Sequence, residues 1–203
     1  MATRNEGKLK EFRELLAGLP LKVLSAGEFP YIPEVEETGD TFADNARLKA
    51  ETMARVTGLI TVADDSGLEV DALQGLPGVR SARFAGEPKD DGRNNEKLLA
   101  LLQGVPSEKR TARFRCVLAI SVPGGETYLS EGTCEGHIGF SPRGIHGFGY
   151  DPLFVVPQFG RTFADLAPEE KNRISHRGVA LKKAGEIVRR LVTPSENRID
   201  VDR

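Results

Sequence analysis

Ala63-Asp64-Asp65-Ser66-Gly67-Leu68 sets two adjacent carboxylates, a hydroxyl and a glycine directly after Leu59-Ile60-Thr61-Val62. That apolar, β-branched run reads as a short buried strand. Ligands of α/β proteins bind where strands end, and a carboxylate there is placed to take a proton from water or to hold a cation. Side chains alternate along extended backbone, so Asp64 and Asp65 are expected to point different ways, one to a site and one to brace a loop. The competing explanation is a plain turn, which Asp, Ser and Gly all favour. Other segments have to decide between the two.

Three of those segments carry cations or N–H donors at the start of a helix. Thr3, Arg4, Asn5, Glu6, Gly7 and Lys8 precede or open a helix with Leu9, Phe12, Leu15 and Leu16 as its apolar stripe, ending near Gly18 and Pro20. Free backbone N–H groups and the helix dipole favour an anion there, although the spacing is not that of a Walker A loop. Thr41 is a candidate N-cap, with Asp44 three residues on, for a helix running to about Arg55. Asn45 and Lys49 are four apart on it and share a face. Lys171, His176 and Arg177 lie in a donor-dense segment before a closing helix from Val179 to Leu191.

Carboxylates recur in Glu34-Val35-Glu36-Glu37, which repel one another unless solvated or holding a cation. Arg143-Gly144-Ile145-His146-Gly147-Phe148-Gly149-Tyr150-Asp151-Pro152 is a glycine-rich loop that presents Phe148 where a flat ring can stack. Cations for phosphates, Glu37 and Asp65 for magnesium or a general base, and an aromatic for a base together describe a nucleoside triphosphate site. Each piece also has a bland explanation: a cap, a solvated face, an aromatic plugging the core.

The elements that position these groups are short. Leu21 to Ser25 reads as a strand, Asp90 to Arg93 as a polar, mobile loop, and Asn94 to Leu102 as a helix. Phe114 to Val122 and Thr127 to Gly132 read as strands about a turn at Pro123-Gly124-Gly125-Glu126, and Leu153 to Val156 as another strand. The chain of 203 residues is long enough for one domain, placed at 1–192, with a polar tail at 193–203 expected to fray. Lys and Arg number 28 and Asp and Glu 30, a formal charge of −2 that argues against a nucleic-acid binder with a broad basic surface. Cys116 and Cys134 lack zinc-ligand spacing. With no leader or membrane span in the sequence, a cytoplasmic protein is expected.

Taken together, Ala2-Thr3-Arg4-Asn5-Glu6-Gly7-Lys8, Glu37-Thr38-Gly39-Asp40-Thr41-Phe42 with Asn45 and Lys49, Ala63-Asp64-Asp65-Ser66-Gly67-Leu68, Gly75-Leu76-Pro77-Gly78-Val79 to Arg83, Phe148-Gly149-Tyr150-Asp151-Pro152, and Glu170-Lys171 through Ser175-His176-Arg177-Gly178 resemble the inosine triphosphate pyrophosphatases. The resemblance spans nearly the whole chain, although only Met1 and Ala2 stand where that family usually has a strand. It implies an elongated, two-lobed α/β fold around a mixed, twisted sheet with flanking helices, the substrate cleft between the lobes, and usually a homodimer. It implies Mg²⁺-dependent cleavage of ITP, dITP and XTP to the monophosphate and pyrophosphate. Asp65 then matches the general base, and Glu37 with Asp65 the metal ligands. Thr3 to Lys8, Lys49 and Lys171 match phosphate-binding positions, and Asn45 and Ser66 are further substrate-binding positions. Phe148, Gly149, Tyr150, Asp151, His176 and Arg177 match the base pocket. Neither nucleic acid nor a membrane is implied as a partner.

Rival readings are weaker on the residues. A haloacid-dehalogenase-type phosphatase wants Asp-x-Asp, whereas these acids are adjacent. The septum-inhibitor-like pyrophosphatases are less well matched by Ser175-His176-Arg177. A non-catalytic nucleotide or RNA-binding module would use Phe148 equally well.

Overall fold

The computed structural model describes residues 1–3, 6–32 and 35–193, with the side chains of Glu6, Gly7, Lys8 and Glu11 outside the description. Among the described residues five strands form one sheet in chain order: β1 (Thr61–Val70), β2 (Thr111–Ser121), β3 (Thr127–Ile138), β4 (Phe154–Val156) and β5 (Arg161–Thr162). Every strand pair is antiparallel, where a mixed sheet was expected. The reason is connectivity: β1 to β3 form a meander, and β2 and β3 are joined by the predicted hairpin turn, in which Val122 N–H donates to Glu126 O. Met1 to Thr3 run beside the edge of β1, Ala2 N–H donating to the Val62 carbonyl and Ala26 N–H to that of Thr3. Leu21 to Ser25 is irregular, not the strand expected.

Among the described residues five α-helices flank the sheet: α1 (Glu6–Leu15), α2 (Phe42–Thr57), α3 (Asp91–Leu101), α4 (Pro168–Ile174) and α5 (His176–Val192). Thr41 caps α2 as its sequence predicts, accepting from Asp44 N–H, and Gly58 ends it in the left-handed region at φ +67°. Asp90 caps α3 by accepting from Arg93 N–H, so the stretch read as a mobile loop is a helix start. Ser175, not His176, caps α5.

The period-2 alternation of β1 and β2 shows how the layers are built. Cys116, Leu118 and Ile120 pack with Phe12 of α1, Leu16 just beyond it, and Leu181 and Val188 of α5 on one face. Val117 and Ala119 meet Ala46 and Ala50 of α2 on the other. A second core occupies the far end of the same strands, where Leu68, Val70, Ala112 and Phe114 gather Phe154 and Phe163. Between these two cores lie Asp64, Asp65 and Ser66.

The strand expected to stop before Asp64 runs on to Val70, so the two aspartates sit inside a strand and not at its end. The ladder to β2 carries it: Asp64 opposes Leu118, Asp65 opposes Val117, and Gly67 opposes Arg115. Gly67 is there for close packing. A Cβ on it would lie 2.4 Å from Ser81 Oγ and 2.6 Å from the Gly78 carbonyl oxygen.

Candidate active site

Alternation separates the two aspartates as the sequence predicts. Asp65 faces α2, where alanines at 46 and 50 let the helix approach the sheet closely. Asn45 donates to Asp65 Oδ2 at 3.2 Å and accepts from Gly39 N–H at 2.7 Å. It is 1% exposed, so its amide orients the carboxylate and the Gly39 loop. One turn on, Lys49 Nζ lies 2.6 Å from Glu37 Oε1 and 3.5 Å from Asp65 Oδ1. Arg83, quoted in a motif but given no role, reaches Glu37 Oε2 at 3.5 Å.

Burial pushes the Asp65 carboxyl up to about 6, with Glu37 and Asp64 adding to the rise while Lys49 and the Asn45 amide oppose it. Lys49 is disfavoured as a cation by burial, but Asp65 and Glu37 outweigh this and its net shift is upward. The pair is therefore a proton acceptor held just below neutrality beside a fixed positive charge.

Asp64 faces the other way. It pairs with Arg177 of α5, Oδ2 to Nε at 3.9 Å, and Arg177 Nη2 donates to Ser66 Oγ at 3.4 Å. Ser66, Phe148, Gly149, Tyr150, Asp151, Lys171, His176 and Arg177 line one cavity of about 100 Å³, so segments far apart in sequence converge there. Phe148 is 55% exposed, with Lys171 Nζ 5.0 Å and the Arg177 guanidinium 5.7 Å from its ring centre. His176 stacks flat on Phe114 at 4.8 Å. β1 is the first strand in the sheet order, with Asp65 on the face towards α2 and Asp64 and Ser66 on the face towards Arg177.

Some predicted ligands hold structure. Tyr150 is buried and donates to the Ser81 carbonyl at 2.8 Å. Asp151 is buried, bonds Lys171 Nζ at 2.5 Å and accepts from Phe148 N–H at 2.8 Å. Gly147 makes room for it, since a Cβ there would fall 2.0 Å from Asp151 Oδ2. Thr3 is partly buried next to β1. Arg4 and Asn5 lie outside the described residues, and of Glu6, Gly7 and Lys8 only the backbone, the first turn of α1, is described. The residues missed are Lys89 and Asp91, which also line the cavity, and Phe114 beneath His176. A larger groove of about 540 Å³ between residues 74–80 and Arg115 holds none of the predicted site residues.

Among the described residues no group of three metal-ligating side chains occurs. Glu37 and Asp65 nonetheless converge on one cation, the Lys49 ammonium, and supply the hard oxygens that magnesium takes.

The Ham1 family pattern matches residues 1–187. The chain belongs to the Ham1 family. It is 61% identical over 196 residues to a dITP/XTP pyrophosphatase of Desulforamulus reducens, covering 97% of this chain and 98% of that one. Identity to the Bacillus subtilis dITP/XTP pyrophosphatase is 52%, over 93% of this chain and 95% of the relative. The structure of a HAM1 protein from Coxiella burnetii superposes with a TM-score of 0.88 at 43% identity, covering 93% and 96%. The Staphylococcus aureus Ham1 protein gives 0.87 at 42%, covering 94% and 97%. The Ham1 fold is thus the α/β, helix-flanked sheet described above.

Proposed function

We propose that this Ham1 protein hydrolyses non-canonical purine nucleoside triphosphates, dITP, XTP and ITP, to the monophosphate and pyrophosphate, clearing them before they enter DNA or RNA. The names of its relatives support the reaction and the substrate class. The observation that carries the assignment to residues is Asp65, 8% exposed with its carboxyl at about 6, between Lys49 on one side and the Ser66–Arg177 contact to the Phe148 cavity on the other.

Asp65 is ionised at neutral pH and takes the proton of a water that attacks the α-phosphorus. The bond from that phosphorus to the α–β bridging oxygen breaks, and pyrophosphate leaves with the electron pair. Lys49 holds positive charge beside the reacting phosphates, and Lys8 and Lys171 are assigned to the phosphates with it. Glu37 and Asp65 would hold magnesium, which supplies further charge against the phosphate oxygens. Phe148 stacks on the base, and Arg177, which only donates, favours a keto oxygen at position 6. The single-domain extent of 1–192 and a cytoplasmic homodimer belong to the same proposal. The near-neutral charge and the absence, among the described residues, of any helix long and apolar enough to span a membrane are consistent with it. Pyrophosphate release from ITP, dITP, XTP, GTP and ATP, with and without magnesium, tests the proposal. Release of orthophosphate, or ATP turned over as fast as ITP, would overturn it.

A further inference from the structure

The ring that closes the cavity is not held by the core. Phe148 is half exposed, and Gly147 and Gly149 on either side adopt left-handed backbone at φ +79° and +60°. The ring's position therefore depends on the hydrogen bonds of its own loop. Asp151 takes the Phe148 N–H. The next residue is gripped on both sides by α3: Gly149 N–H donates to Asp91 Oδ2 at 2.7 Å, and the Gly149 carbonyl accepts from Asn95 Nδ2 at 3.0 Å.

We propose that Asp91 and Asn95 are a clamp on Gly149 that sets the height of the Phe148 ring over the cavity, and so are positioning residues for the purine base; this rests on the pyrophosphatase function proposed above. Four residues apart, they present adjacent side chains on one face of α3. The helix end that carries them is itself anchored, with Asp90 accepting from Arg93 N–H, and Asn94 accepting from Ala85 N–H at 2.7 Å and donating to the Ala82 carbonyl at 3.0 Å. Asn95 is 9% exposed, and its Oδ1 has no hydrogen-bond partner among the described residues. The amide is still oriented unambiguously, because a flip would turn Oδ1 against the Gly149 carbonyl oxygen. The Asp91 bond is charge-assisted, the stronger half of the clamp. Its other oxygen lies 3.7 Å from Lys89 Nζ, keeping the carboxylate in place at the cavity wall.

A loosened clamp displaces the ring and not the phosphate groups. Asp91→Ala is expected to raise KM for ITP about tenfold, the loss of part of one charge-assisted bond, with kcat within about twofold and the inhibition constant of inorganic pyrophosphate unchanged. Asp91→Asn keeps an acceptor for Gly149 N–H and should restore KM to within about threefold of the parent. Asn95→Ala should act in the same direction, and serves if Asp91→Ala does not fold. Unchanged KM in both alanine variants, pyrophosphate inhibition weakened in parallel with KM, or Asp91→Asn as impaired as Asp91→Ala would each overturn the clamp. Amide exchange at Gly149 decides the matter even if the parent proves inactive on ITP, which would count against the proposed function alone. Protection lost in Asp91→Ala and kept in Asp91→Asn supports the clamp, and protection equal in all three proteins refutes it.

Discussion

Lys49 Nζ stands 3.5 Å from Asp65 Oδ1 while it bonds Glu37 Oε1 at 2.6 Å, so one partly buried ammonium separates two carboxylates that would otherwise repel each other. Burial raises Asp65, and Lys49 is the largest influence holding it down. Lys49→Met removes that influence. In metal-free protein the Asp65 carboxyl should then titrate at least about one unit above the parent's value, as for any carboxylate losing a cation at this range. Carbon-13 NMR of the side-chain carboxyl would measure it directly, with Lys49→Arg as the variant that keeps the parent value. A Lys49→Met titration overlaying the parent would mean that Asn45 and solvent, not Lys49, govern the acid.

Asp65→Asn should lower turnover of ITP by about 10²- to 10⁴-fold, because an amide keeps the shape but accepts no proton. It should also stabilise the metal-free protein. The folded carboxyl is raised from 3.8 to about 6, so between those values the folded state binds more protons than the unfolded, and stability falls as pH rises. At pH 7.5 the full penalty, on the order of 2–3 kcal/mol, is present in the parent and absent from Asp65→Asn. Below about pH 4 the two proteins should unfold alike. Urea denaturation at both pH values checks this, and a variant less stable than the parent at pH 7.5 contradicts the assigned shift.

The two faces of the site differ in how far the chain announces them. Asn45 and Lys49 are legible because a capped helix fixes their spacing, and the opposite orientation of Asp64 and Asp65 follows from extended backbone alone. That Asp-Asp-Ser-Gly continues as strand is not legible. Locally it is a turn composition, and only the pairing of Asp64 to Gly67 with Leu118 to Arg115 overrides that preference. Asp91 was hidden for a related reason. Read locally, Asp90-Asp91-Gly92 is a polar loop, and its meaning lies in a bond to Gly149, 58 residues away. Tyr150 and Asp151 line the Phe148 cavity and at the same time bond Ser81 and Lys171, ties to distant segments that local sequence does not announce. Sequence spacing marks which residues gather, but cannot rank those that would touch a ligand above those that hold the wall.

Glu37→Gln tests the metal assignment. A neutral amide oxygen binds a hard cation less well than a carboxylate, so the magnesium concentration for half activity should rise several-fold with kcat at saturation largely kept. The alternative is that Glu37 serves only to anchor Lys49 and Arg83 at the entrance to α2. In that case the magnesium titration of the variant would overlay the parent's, and thermal stability would fall instead.

Base choice is the last property assigned here, and it separates Arg177 from Phe148. Arg177 is tethered to β1 by Asp64 and Ser66 and faces the Phe148 ring, so its guanidinium is offered to the edge of whatever stacks there. It has donors only, and therefore bonds the 6-keto oxygen of hypoxanthine or xanthine and opposes the 6-amino group of adenine. A donor buried against a donor costs about 1–3 kcal/mol, more when one is charged, or roughly tenfold or greater in selectivity. Phe148 adds stacking for any purine and no preference between them. Arg177→Ala should accordingly lower the ratio of kcat/KM for ITP over ATP by about tenfold or more, chiefly through ITP. Phe148→Ala should weaken both nucleotides to a similar extent, with little loss of stability because the ring is half exposed. The decisive comparison is both variants on both nucleotides. If Arg177→Ala loses ITP and ATP turnover in equal proportion, the guanidinium serves a phosphate, and the tether to Asp64 and Ser66 positions it for the triphosphate instead of the base.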